Sequence, residues 1–110
     1  MLVVTMNDLK PYFSILNERF DAYWNRNGYT FKKDEFNIKE LQNYYLVTLG
    51  SSAHSFIAKM DFANKALGPV KAGDIFKPAS YKVPAKNVRG NIFDSDHGAR
   101  ALDDYRIRYM

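Results

Sequence analysis

The sequence predicts an α+β domain: one N-terminal amphipathic helix packed on a three- or four-stranded antiparallel sheet, followed by an irregular C-terminal arm. Three observations predict it. Apolar residues recur at three- and four-residue spacings through the first quarter of the chain. After Gly28 the pattern changes to alternating and β-branched runs, and beyond Pro78 no period is sustained while Pro, Gly and Lys accumulate.

The helix is expected over roughly Asp8 to Asn27, where Leu9, Tyr12, Phe13, Leu16, Phe20, Tyr23 and Trp24 form one wide apolar stripe. Asn7 or Asp8 supplies an N-cap oxygen, Pro11 falls in the first turn, and Asn27-Gly28 is a stop signal because glycine tolerates positive φ. Lys10, Asn17, Glu18, Asp21 and Asn25 mark the solvated face. The aromatic residues of the stripe read as core rather than as a ligand site, since the chain offers no other large apolar helix to build with.

Strands are expected at Tyr29 to Phe31, Phe36 to Ile38 and Tyr44 to Leu49, with Lys32 to Glu35 as a break in the first of them. Gly50-Ser51-Ser52 turns the chain, so Ala53 to Met60 folds back as a hairpin partner. Asp61 to Gly73 reads as a loop, and Asp74 to Lys77 as one more short strand that ends at Pro78. The division is a body over 1–77 and a wrapping basic arm over 78–110, anchored by Ile92 and Phe93, with a last helical turn near Ala99 to Tyr105. The sheet face away from the helix is left for the arm, a second subunit or a ligand to cover.

A chain of 110 residues supports one core. Eight Phe, eight Tyr and Trp24 make that core aromatic and argue against disorder. The absence of cysteine excludes a disulfide framework, a thiolate metal site and a cysteine nucleophile. There is no run of about 18 apolar residues, and the start at Met1 is short and uncharged, so the expected location is the cytoplasm, without a membrane partner. The net charge of +4 is uneven: residues 1–70 hold eight basic and seven acidic groups, residues 71–110 eight and five.

Motifs for chemistry are sparse. No glycine-rich phosphate loop, histidine pair at metal spacing, nucleophile elbow or tight carboxylate dyad occurs, so no enzyme activity, catalytic residue, metal or cofactor is expected. Asp94-Ser95-Asp96-His97 has oxygen and imidazole donors but reads as a polar turn closed by Gly98. His54, beside Ser52 and Ser55, reads as a half-exposed packing residue rather than a general base.

The densest local feature is the segment from Lys77 to Asn91, which contains Lys77, Lys82, Lys86 and Arg89 and no acidic residue. Such a strip can track phosphates, and Tyr81 within it can stack on an exposed base. The competing reading is a solvated, proline-stiffened linker whose lysines keep an edge from pairing.

The string GDIFKPASYKVPAKNVRGNIFD, from Gly73 to Asp94, resembles the ending of a group of short, uncharacterised bacteriophage proteins with the pattern GDI-K-A-S-(W/Y)-K-x-PA-K-x-x-RGNIFD. It spans about a fifth of the chain, with Tyr81 at the usual aromatic position; the tail from Asp103 to Tyr109 departs from the glycine-rich form of the group. The resemblance implies a phage or prophage accessory protein and carries over no catalytic residue. The functional expectation is therefore a nucleic-acid-associated binding protein using Lys77, Tyr81, Lys82, Lys86 and Arg89. The alternative is a protein-interaction module for a host or virion protein, with a homodimer as one form of it.

Overall fold

The computed structural model describes residues 2–30 and 32–107. Phe31 of the first expected strand and Arg108 and Tyr109 of the tail lie outside the described residues.

Helix α1 spans Met6–Asn27, and its N-cap is Thr5 rather than Asn7 or Asp8. Thr5 has extended φ and ψ of −109° and 168°, so its hydroxyl can accept from the Asp8 N–H at 3.3 Å. The Asp8 carboxylate accepts in return from the Thr5 N–H at 2.8 Å, a reciprocal box in which Asp replaces the commoner Glu. Starting the helix at Met6 moves Pro11 past the first turn, where it leaves the Asn7 carbonyl without its helical donor on an exposed face. Gly28 ends the helix in the left-handed region at φ 64°.

Five strands form an antiparallel sheet in the order β1-β2-β3-β6-β7: β1 is Phe36–Glu40, β2 Tyr44–Leu49, β3 Ser52–Ala58, β6 Asp74–Phe76 and β7 Gly90–Asn91. The α+β class is thus as read, with β7, from the expected arm, as a fifth strand. The β2–β3 hairpin turns at Gly50 and carries an irregularity between Val47 and Thr48. Tyr29 and Thr30 join no strand.

Leu9, Tyr12, Leu16 and Phe20 lay the buried stripe of α1 on one sheet face, against Phe36, Tyr45, Val47, Ile57 and Ile75. Each fully buried leucine of this stripe contributes about 2 kcal/mol. Trp24 and Tyr23 are only half-buried and form an aromatic rim with Tyr29.

Two expectations are corrected. The Asp61-to-Gly73 loop contains a hairpin, β4 Phe62–Asn64 with β5 Gly68–Val70, whose turn is held by the Asn64 Oδ1 accepting from the N–H groups of Ala66 and Leu67 at 2.7 and 3.0 Å. Its Phe62, Leu67 and Val70 pack on Leu46, Phe56 and Phe76, so this hairpin covers the second sheet face.

The second correction concerns the arm. Residues 90–107 are part of the body: Ile92, Ala101, Leu102, Tyr105 and Ile107 are buried in the same core as α1. Ile92 anchors this stretch as expected, but Phe93 is 45% exposed because it follows a turn that accepts its N–H on the Asn91 side chain. The expected helical turn is a short 3-10 turn, Ala99–Ala101, followed by a hairpin of β8 Leu102–Asp103 and β9 Arg106–Ile107. Gly98, at φ 91°, lets this turn approach the core: a Cβ there would fall 2.5 Å from the Ile75 Cδ1.

Candidate nucleic-acid interface

Between β6 and β7 the chain makes a single excursion, residues 77–89, and it carries all five residues singled out from the sequence. It is a hairpin rather than a wrapping arm. At its root the Arg89 N–H donates to the Ile75 carbonyl at 2.8 Å. Further out the Ala85 N–H donates to the Lys77 carbonyl at 2.7 Å, and the Ala79 N–H to the Val83 carbonyl at 2.8 Å, flanking a bridge between Pro78 and Pro84. The Ser80 N–H also donates to the Val83 carbonyl, which leaves Tyr81 and Lys82 at the tip.

The five residues share this hairpin but differ in depth. Lys77 and Arg89, at the root, are half-buried, whereas Tyr81, Lys82 and Lys86 are exposed. Tyr81 has 47% of its surface open, with Val83 and Val88 exposed beside it. Ion pairs elsewhere occupy several cations: Arg26 with Asp104, Lys33 with Asp21, Lys59 with Glu40 and Arg100 with Asp94. Among the described residues, Lys82 and Lys86 make no ion pair with any carboxylate.

The Asp94-to-His97 stretch is a turn whose carboxylates are engaged by the protein itself. The Asp96 side chain accepts from the N–H groups of Gly98 and Arg100 at 3.1 and 2.8 Å, which fixes the entry to the 3-10 turn. No group of three or more His, Asp or Glu among the described residues is placed to hold a metal ion.

His54 differs from its half-exposed expectation. It is 9% exposed, with its ring edge-on to Phe36 at 5.3 Å. The Nε2 lies 2.6 Å from the Tyr105 carbonyl, which can only accept, so Nε2 carries the proton and Nδ1 accepts from the Ser55 hydroxyl at 2.9 Å. Ser55 Oγ in turn accepts from the Tyr12 hydroxyl at 3.0 Å. One directed chain of buried hydrogen bonds thus ties α1 to β3 and to the turn between β8 and β9. Burial pushes the His54 pKa down to about 4, against a smaller upward effect of the Tyr105 carbonyl, and burial raises that of Tyr12.

One basic residue that the sequence reading passed over belongs to this region. Arg106 of β9 lines the same shallow groove as Lys77, and its guanidinium sits over the rings of Tyr105 and Tyr23, 5.0 and 5.8 Å from their centres. Its sequence context, Asp103-Asp-Tyr-Arg-Ile, is not basic, so nothing local marks it.

Residues 5–106 match a family of unknown function, DUF7717. The chain belongs to that family. The match runs from the N-cap of α1 to Arg106 of β9, so the 77–89 excursion and all of the C-terminal hairpin but Ile107 are within the family domain. No curated protein and no solved structure matches the chain.

Proposed function

We propose that this DUF7717 protein is a small accessory binding protein of bacteriophage type that contacts nucleic acid through the 77–89 hairpin. The observation that carries the reading is the exposure of Lys82 and Lys86 on either side of the Pro78–Pro84 bridge, unpaired by carboxylates among the described residues, with Tyr81 open beside them. Cations presented this way gain from counterion release on a phosphate backbone. An exposed tyrosine ring adds base stacking in a single strand, which a paired duplex withholds. The phage attribution rests on the resemblance of Gly73 to Asp94 to the phage-protein ending.

Fluorescence anisotropy with single- and double-stranded oligonucleotides across a salt series tests it. Binding that weakens steeply with salt is expected, with a shallower slope for the Lys82→Glu, Lys86→Glu double variant and about tenfold weaker single-strand binding for Tyr81→Ala. No binding at low salt would remove the reading.

A separate observation favours the second reading, contact between two copies. Strand β1 ends the sheet, and beside its outer edge Met6, Phe13 and Ile38 line a groove of about 380 Å³. An open edge beside apolar surface is suited to pairing with the β1 of another copy. Light scattering on wild type and Ile38→Lys would separate the readings: a dimer lost in the variant favours this one, and a monomer at all concentrations eliminates it.

A further inference from the structure

Ala53, His54, Lys77, Pro78, Arg106 and Ile107 line one groove of about 260 Å³ at the root of the 77–89 hairpin. Three elements build it: the start of β3, the exit from β6 and strand β9. Its chemistry is divided. Ala53, Pro78 and Ile107 give it an apolar floor, while the basic residues Lys77 and Arg106 line it from two elements far apart in sequence. His54 at its base has both ring nitrogens satisfied within the protein and adds no charge near neutral pH. The acidic residue nearest Arg106 in the ladder is Asp103, its cross-strand partner. Among the described residues these two form no ion pair.

An apolar recess with two basic residues in its lining matches an amphiphilic anion, one flat apolar part joined to one negative part. Resting on the nucleic-acid reading, we infer that this groove seats one nucleotide of a single strand, with a phosphate between Lys77 and Arg106 and the base on the Ala53, Pro78 and Ile107 floor. Duplex DNA is excluded from the recess because its bases are turned inward. The binding path therefore runs from Tyr81 at the hairpin tip to Arg106 on β9.

The test uses the full chain with a thymidine oligonucleotide and an abasic oligonucleotide of equal length, followed by anisotropy across a salt series. Arg106→Gln and Lys77→Gln should each weaken thymidine-strand binding about tenfold and lower the salt slope by about 0.7, the amount for one single-strand phosphate contact. The abasic strand should bind more weakly to wild type, and Arg106→Gln should shrink that difference. Arg106→Lys, which retains the charge, should restore most of the slope. Circular dichroism melts of each variant establish that the fold persists. If the Lys82 and Lys86 variants weaken binding while Arg106→Gln and Lys77→Gln keep wild-type affinity and slope, the groove inference is overturned and the nucleic-acid reading survives. If wild type binds no oligonucleotide, both fall.

Discussion

Pro78 and Pro84 face each other as the non-hydrogen-bonded pair of an antiparallel bridge, the one ladder position that asks neither residue for an N–H. The bonds that close the ladder come from their neighbours, Ala79 to Val83 and Ala85 to Lys77. Two residues usually read as strand breakers are thus placed where their missing donor costs nothing and their fixed φ stiffens the hairpin.

Replacing Pro84 with alanine should loosen the hairpin by about 0.7 kcal/mol, mostly through added freedom in the unfolded segment. Amide exchange at Ala79 and Ala85 should speed up about threefold while core amides in β2 and β3 stay slow. Unchanged exchange at both alanines would mean that the proline contributes no order.

Gly98→Ala should destabilise the protein by about 3 kcal/mol, because the residue would be both left-handed and in collision with Ile75. Urea denaturation reads this directly. A midpoint within error of wild type would refute the tight approach of the 3-10 turn to the core.

His54 makes the fold sensitive to acid. Well above pH 6.5 the imidazole is neutral in both states and contributes no pH dependence. Between 6.5 and about 4 the unfolded chain takes up a proton that the buried ring refuses, so stability falls as pH falls. Over that window the loss amounts to about 3 kcal/mol. Denaturation at pH 7 and pH 4.5 should show it, and His54→Phe, though less stable at pH 7, should lose this part of the slope. Equal slopes in both proteins would argue against a buried neutral ring.

Tyr12→Phe deletes the first donor of the same buried chain while leaving the ring volume. The Ser55 hydroxyl still donates to His54, so the cost should be near 1 kcal/mol, measured as a lower melting temperature. A loss comparable to removal of the whole aromatic side chain would show that the chain of bonds acts as a unit.

The helix, the β2–β3 hairpin and the sheet class were legible because each carries its period over six or more residues. The β4–β5 hairpin was not, since Phe-Ala-Asn and Gly-Pro-Val are three-residue strands of low β propensity that form only because Phe62 and Val70 find Phe76 and Leu46 beneath them. The C-terminal core residues were equally hidden: Leu102 and Tyr105 are three apart but Tyr105 and Ile107 two apart, so no single period runs through them, and tertiary contact selects them. The Thr5 cap did have a signal, Thr-x-x-Asp, which the attractive Asn7-Asp8 pair obscured.

In the proposed interface, the basic cluster was readable as a run of lysines without acids. Its confinement to one hairpin could be suspected from the two prolines, which are six positions apart. Arg106 could not be found this way, because only the path of β9 past β3 brings it into the groove that Lys77 lines.

The clasp of Tyr105 on His54 has a bearing on biosynthesis. A nascent polypeptide that has emerged only as far as Gly98 holds α1 and all five strands of the main sheet, yet Phe20 lacks Tyr105, and the His54 imidazole has no carbonyl to receive its proton. Closure of the main core thus waits for translation of the residues around Ile107, and until then the half-built sheet leaves an aromatic surface open to chaperones.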